Sequence, residues 1–189
     1  MKEKLTLRNL VIAIVFVLGI VALIVSFKAG SKIPGTIEVE MKGLIFGKQE
    51  MFVNGKGQGA VDAVVHAKLS QLGVIMLVVA PVLALVSALV LPKAVAKKVI
   101  LALAVVAVVG VVFVAMMKGS YARQTVKYQV GEAEKAGMEV TAEMKKELLE
   151  EVKESMKENK PNGATIVVVI LGALEAVGLA VSQFLPEKK

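Results

Sequence analysis

A chain of 189 residues that is 56% hydrophobic, with a mean hydropathy of +0.72, is too apolar for an ordinary soluble domain. It has no cysteine and a single histidine, which excludes disulfides, thiolate metal sites, a cysteine nucleophile and bis-histidine ligation within the chain. The net charge of +7 would suit a nucleic-acid binder, but the cations sit at the ends of apolar runs instead of in one patch, so no nucleic-acid partner is expected.

Residues 1–9 carry Lys2, Lys4 and Arg8 and precede the first apolar run, 10–27. This run is longer than a signal-peptide core, and Phe27-Lys28-Ala29 is a poor cleavage site, so it reads as an uncleaved first span. Further runs cover 72–91, 99–117 and 164–185. A helix needs roughly 17–25 mostly apolar residues to cross a bilayer core. The first three runs hold no charge and the fourth holds only Glu175, so each can span. The expected fold is an integral membrane, mainly α four-helix bundle. Tyrosine occurs only as Tyr121 and Tyr128, and tryptophan is absent, so any aromatic belt is weak. The Val/Ala/Lys/Glu-rich usage suits a thermophile protein or a designed one.

The first long loop, 28–71, reads as β-rich. Ile37, Val39 and Met41 alternate with Glu38, Glu40 and Lys42, the period of a half-exposed strand. Gly43-Leu44-Ile45-Phe46-Gly47 follows, then Glu50 to Val53 and the turn signal Asn54-Gly55. A small antiparallel sheet is expected over 36–59 and a helix over 60–71. The glycine-rich stretch 54–59 lacks the Gly-Lys-Ser/Thr ending of a phosphate loop and reads as a turn. His66 could pair with Asp62 one helical turn back, and as a lone histidine it reads as a surface residue.

The link 92–98 is short and basic, with Lys93, Lys97 and Lys98. The second long loop, 118–163, is punctuated by Gly119, Gly131 and Gly137 and then carries an amphipathic helix. Thr141 would cap it, Glu143 suits its first turn, and it would stop near Asn159 before Lys160-Pro161-Asn162-Gly163. Met144, Leu148, Val152 and Met156 form its apolar stripe, expected to rest on the first-loop sheet, a partner subunit or the membrane surface. Residues 186–189 end the chain with Lys188 and Lys189. Together the two tails and the short link hold eight cations against the acids Glu3 and Glu187, whereas the two long loops hold 15 cations and 13 acids. By the positive-inside rule both termini are cytoplasmic and both long loops external, in a multi-pass protein of the cell membrane, with anionic lipid as the partner of the inner cations.

Small residues recur at helical spacing inside the spans: Gly19, Ala22 and Ser26; Ala80, Ala84 and Ala88; Gly172, Ala176 and Ala180. Such rows let helix backbones approach closely, in the bundle or at an oligomer contact. Pro81 is expected to kink the second span. Glu175 projects from a small-residue face flanked by Gly172 and Gly178. It reads as a carboxyl bonded within the bundle, as a protonatable group in an ion pathway, or as a subunit contact. No paired carboxylates, Ser/His/Asp set or dinucleotide fingerprint is present, so neither enzyme activity nor a cofactor is expected.

The order of span, β-rich loop, span, short basic link, span, second loop and span resembles the claudin and peripheral myelin protein superfamily. Gly43-Leu44-Ile45 sits where that family carries Gly-Leu-Trp. Ile45 replaces the tryptophan, Lys48 and Gln58 stand near the family's two first-loop cysteines, and the second loop is longer. The resemblance implies a β-sheet on a four-helix bundle used for lateral or cell–cell association. The expected function is therefore non-enzymatic assembly or adhesion through the external loops, as a homo-oligomer or as a small subunit of a larger complex. Its candidate surface is Ile37, Val39, Met41, Leu44, Phe46, Met144, Leu148, Val152 and Met156. The alternatives are a small channel or proton-coupled transporter using Glu175, and a designed chain without native activity.

Overall fold

The computed structural model describes residues 6–61 and 65–185. The charges at Lys2, Glu3, Lys4, Glu187, Lys188 and Lys189 and the Asp62 partner expected for His66 lie outside them. Four helices are long and apolar enough to cross a membrane: α1 (Leu7–Ser26), α2 (Lys68–Val90), α3 (Lys93–Ala115) and α6 (Gly163–Ser182). Helices α4 (Met117–Lys135) and α5 (Ala142–Ser155) are polar. The strands are β1 (Ser31–Ile33), β2 (Val39–Lys42), β3 (Gln49–Val53), β4 (Lys56–Val61) and β5 (Lys160–Pro161). The chain divides into a span unit, Met1–Val25 with Leu72–Val114 and Val167–Lys189, and a loop unit, Ser26–Gln71 with Ala115–Ile166.

Close backbone approach organises the span unit. A β-carbon on Gly73 would lie 2.6 Å from the Gly110 carbonyl oxygen, and one on Gly110 would lie 2.9 Å from that of Gly73. Gly73 is near the start of α2 and Gly110 near the end of α3, so these helices run antiparallel. A β-carbon on Gly19 would meet the Leu77 carbonyl oxygen at 2.9 Å and the Pro81 ring at 3.2 Å. The small rows read from the sequence are divided: Ala22, Ala80 and Ala84 are fully buried, whereas Ala88 and Ala180 are half-exposed. Gly172 and Gly178 receive Leu77 and Val15 respectively. Pro81 is buried within an unbroken α2. Because the atoms facing Gly73 include backbone, Gly73→Ala should lower stability by about 2 kcal/mol through overpacking. Thermal unfolding in detergent checks this, and an unchanged midpoint would contradict the α2–α3 crossing.

In the loop unit the strands form one antiparallel sheet in the order β4-β3-β2-β1-β5. Four strands come from the first long loop and β5 from the second. Asn54 and Gly55, with φ of 49° and 75°, make the tight turn between β3 and β4, the conformation that Asn-Gly favours in two-residue hairpins. The Asn54 side-chain oxygen and backbone N–H both engage the backbone of Glu38, on the approach to β2. Only Asn54-Gly55 is turn, and 56–61, expected as turn and helix start, is strand. The helix expected from residue 60 begins at Lys68. The alternation over β2 does not produce one buried and one exposed face, since all four of its residues are half-buried. The polar face is also occupied: Glu40 accepts from the Asn162 side chain at 3.0 Å, and Lys42 lies 3.9 Å over the Phe52 ring.

The largest departure from expectation is α4. Gly119 and Gly131 do not break the chain after α3, which resumes helix one residue later and runs to Lys135. Both glycines lie within α4, and a β-carbon on either would meet nothing within 4 Å. Each therefore costs only its intrinsic propensity, about 1 kcal/mol, against the burial of Ala122, Val126 and Val130 on one face. Helix α5 packs along α4, not along the first-loop sheet. Thr141 caps α5 as expected, its hydroxyl oxygen accepting from the Met144 N–H at 3.3 Å, but the helix stops at Ser155. Helix α3 absorbs Lys93, Lys97 and Lys98, which shortens the expected basic link to Leu91 and Pro92.

Candidate functional site

The loop unit is held together by a buried polar cluster. Gly30 donates its N–H to the Asn162 side-chain oxygen at 3.0 Å and to the Thr165 hydroxyl oxygen at 2.9 Å. The Gly30 carbonyl accepts from the Asn162 N–H at 3.0 Å and from the Thr165 hydroxyl at 2.8 Å. Asn162 also caps α6, accepting from the Thr165 N–H at 3.0 Å, and its amide donates to the Lys28 carbonyl. Asn162 is 1% exposed, and the side-chain bonds among Gly30, Asn162 and Thr165 are buried, while the one to Lys28 is part-buried. Sequence reasoning treated Asn162 only as part of a helix stop. The Asn-x-x-Thr spacing ahead of an apolar run was the available N-cap signal.

The Gly43-Leu44-Ile45 motif lies just after β2. Leu44 and Ile45 are buried, and their backbones link to Ala29, Ala67 and the Gln71 side chain. The Gln49 amide donates to the Val65 carbonyl. Leu44 is thus interior and does not form part of a surface. Phe46 is half-buried against Phe27, with ring centroids 5.7 Å apart. Ile37 remains 62% exposed, while Val39 and Met41 are half-buried. The α5 stripe is graded: Met156 is buried, Leu148 and Val152 are half-buried, and Met144 is 50% exposed.

Two concave surfaces border α4. One, about 290 Å³, lies between α4 and α5, with Val130, Ala133, Met138, Val140, Met144 and Leu148 as its apolar lining and Glu147 and Glu151 on its margin. Met138 at its mouth is 60% exposed. The other, about 280 Å³, is lined by His66, Lys68, Gln124, Lys127, Tyr128 and Lys135 among others. Lys135 is paired with Glu132 at 2.7 Å, and this hydrogen bond holds its ammonium above the usual lysine range. His66 places Nε2 3.0 Å from the Gly47 carbonyl oxygen, so that nitrogen is the donor. Nearby in α4, burial pushes the Tyr121 phenol up, opposed by the Thr125 hydroxyl.

In the span unit Glu175 is fully buried, and neither carboxyl oxygen has a hydrogen-bond partner among the described residues. Of the three readings of Glu175, the carboxyl bonded within the bundle has no such bond among the described residues. Two turns further along α6, the Ser182 hydroxyl donates to the Leu179 carbonyl at 2.7 Å. The Gln183 amide donates to the same carbonyl and to the Ser182 oxygen. No group of three or more metal-ligating side chains occurs among the described residues.

No protein-family model, curated protein or solved structure matches the chain. Four apolar helices and a small sheet fit a claudin-like topology, but no family match supports the likeness further.

Proposed function

We propose that the chain is a non-enzymatic multi-pass membrane protein whose loop unit, on the external side, assembles with further copies of itself. The bias of cations toward the two tails and the first turns of α3 supports cytoplasmic termini. The observation that carries the assembly reading is the open groove between α4 and α5. Met138 and Met144 are half or more exposed at its mouth, and none of the residues of α5 itself is fully buried. An apolar groove with a polar margin is the common form of a protein-docking site.

Charge favours a second copy as the occupant. The groove carries Glu147 and Glu151, while the neighbouring pocket of the same unit carries Lys68 and Lys127, its Lys135 being paired with Glu132. Each copy thus offers both halves of a complementary pair, and two copies related by a twofold axis satisfy both at once. The open outer edge of β4 offers a further run of unpaired backbone groups.

Met138→Glu combined with Met144→Glu should convert an assembled species in lipid nanodiscs to single chains without loss of helical circular dichroism. Lys127→Glu should weaken assembly, and adding Glu151→Lys should restore it. Assembly that survives both changes would rule out this groove as the interface.

A further inference from the structure

We propose that Glu175 is a proton-binding site loaded from one side only, through the end of the span unit that carries both chain termini. The inference rests on the distribution of polar side chains around it. Among the described residues of the span unit, polar side chains are confined to Thr6, Arg8 and Asn9 at the start of α1, Ser87 near the end of α2, the three lysines at the start of α3, and Glu175, Ser182 and Gln183 on α6. Helix direction puts all of them except Glu175 toward the terminus end. From Glu175 toward the other end the next polar side chain of α6 is Thr165, ten residues away, about 15 Å, and bonded to Gly30 and Asn162.

Glu175 stands 12 residues into α6, about 18 Å from the helix start at 1.5 Å per residue. Ser182 is seven residues further, about 10 Å toward the termini. Positions 175, 179, 182 and 183 share one face of the helix. Along it run the Glu175 carboxyl, the doubly bonded Leu179 carbonyl, the Ser182 hydroxyl and the Gln183 amide, whose oxygen is buried and unpartnered. Ser182 is fully buried and Gln183 is 6% exposed, so this is an interior line of polar atoms and not a lipid-facing one. Arg8 is 7% exposed near the start of α1. Among the described residues the other cations of the unit are Lys93, Lys97 and Lys98 at the start of α3, and its α2 segment, from Leu72, holds no charge. None of these cations bonds to the Glu175 oxygens.

This donor set suits a proton and not a metal ion. Sodium, magnesium or calcium would need several converging oxygens, whereas among the described residues no group of three or more metal-ligating side chains occurs and the Glu175 oxygens have no hydrogen-bond partner. A carboxylate exposed to neither water nor a cation is costly inside a bundle, and such a group is retained where its charge state is used. Protonation forms an O–H bond on the carboxylate and removes its charge. Release returns the proton along the Ser182–Gln183 line to the terminus side. Because the next polar side chain of α6 in the opposite direction is ten residues away and already bonded, the site takes up and releases protons without conducting them across.

The test uses the whole chain in oriented lipid vesicles, with infrared difference spectroscopy of the carboxyl C=O band during a pH step. The expected band is absent in Glu175→Gln. In the wild type it responds to a step on the terminus side and not to one on the loop side, with no flux reported by an entrapped pH dye. Gln183→Leu keeps the band and slows the response, which tests the route independently of how Glu175→Gln folds. A band that ignores terminus-side pH, a response from the loop side, measurable flux, or a Gln183→Leu response as fast as wild type would each overturn the proposal.

Discussion

Gly30→Ala should destabilise the loop unit by about 3 kcal/mol or more. A β-carbon at this position would lie 1.8 Å from the Met41 carbonyl oxygen, 2.8 Å from its carbonyl carbon and 3.0 Å from the Lys42 Cα. All three atoms are backbone of β2, so no side chain can turn aside to make room. The variant must separate β1 from β2, and β1 is the strand through which β5 joins the sheet. Chemical unfolding in detergent reads the loss. Proteolysis should show new cleavage in 28–61 while the apolar helices stay protected. Wild-type stability would contradict the close apposition of Gly30 and Met41.

Asn162→Ala should lower stability by about 3 kcal/mol, combining the loss of a helix N-cap with buried groups left unsatisfied. The Thr165 N–H and the Lys28 carbonyl lose the partner named for each, and Gly30 N–H retains only the Thr165 hydroxyl. The effects of Asn162→Ala and Gly30→Ala should fall short of additive, because each disrupts the same junction. A double-mutant cycle measures this. Full additivity would show that Asn162 and Gly30 act independently, against the bonds that join them.

The spans were legible because their signal is local: a long run without charge has few alternatives to a helix in a membrane. Glu175 stood out for the same reason, as one ionisable residue in an otherwise apolar run. Its lack of a hydrogen-bond partner among the described residues did not, since partners depend on which helices meet. The closest α2–α3 crossing, Gly73 against Gly110, also escaped the small-residue rows, because a single glycine opposite another needs no repeat. Strand β1 has three residues and β5 has two, one of them a proline, so neither carries a periodic pattern. They become strands through long-range pairing and through Asn162, 132 residues from Gly30. Helix α4 was hidden by Gly119 and Gly131, which local rules read as breakers. Ala122, Val126 and Val130, four residues apart, were the signal that outweighed them.

The absence of the two first-loop cysteines that the resemblance implies also has a physical counterpart. The β3–β4 hairpin that would lie near them is closed by the Asn54-Gly55 turn and by the register Phe52↔Gly57 and Val53↔Lys56, so this sheet needs no crosslink to set its pairing. The same hairpin ends the sheet in an open edge, and the longer second loop supplies the α4–α5 groove. The features that depart most from the resemblance are therefore those on which the proposed assembly rests.

The proposed function rests on copies of this chain associating through the loop unit. Mass measurement of the intact protein released from lipid nanodiscs tests it most directly. The expected result is a mass of two or more chains that falls to one chain with Met138→Glu and Met144→Glu. A single-chain mass for the wild type at every protein-to-lipid ratio would contradict it.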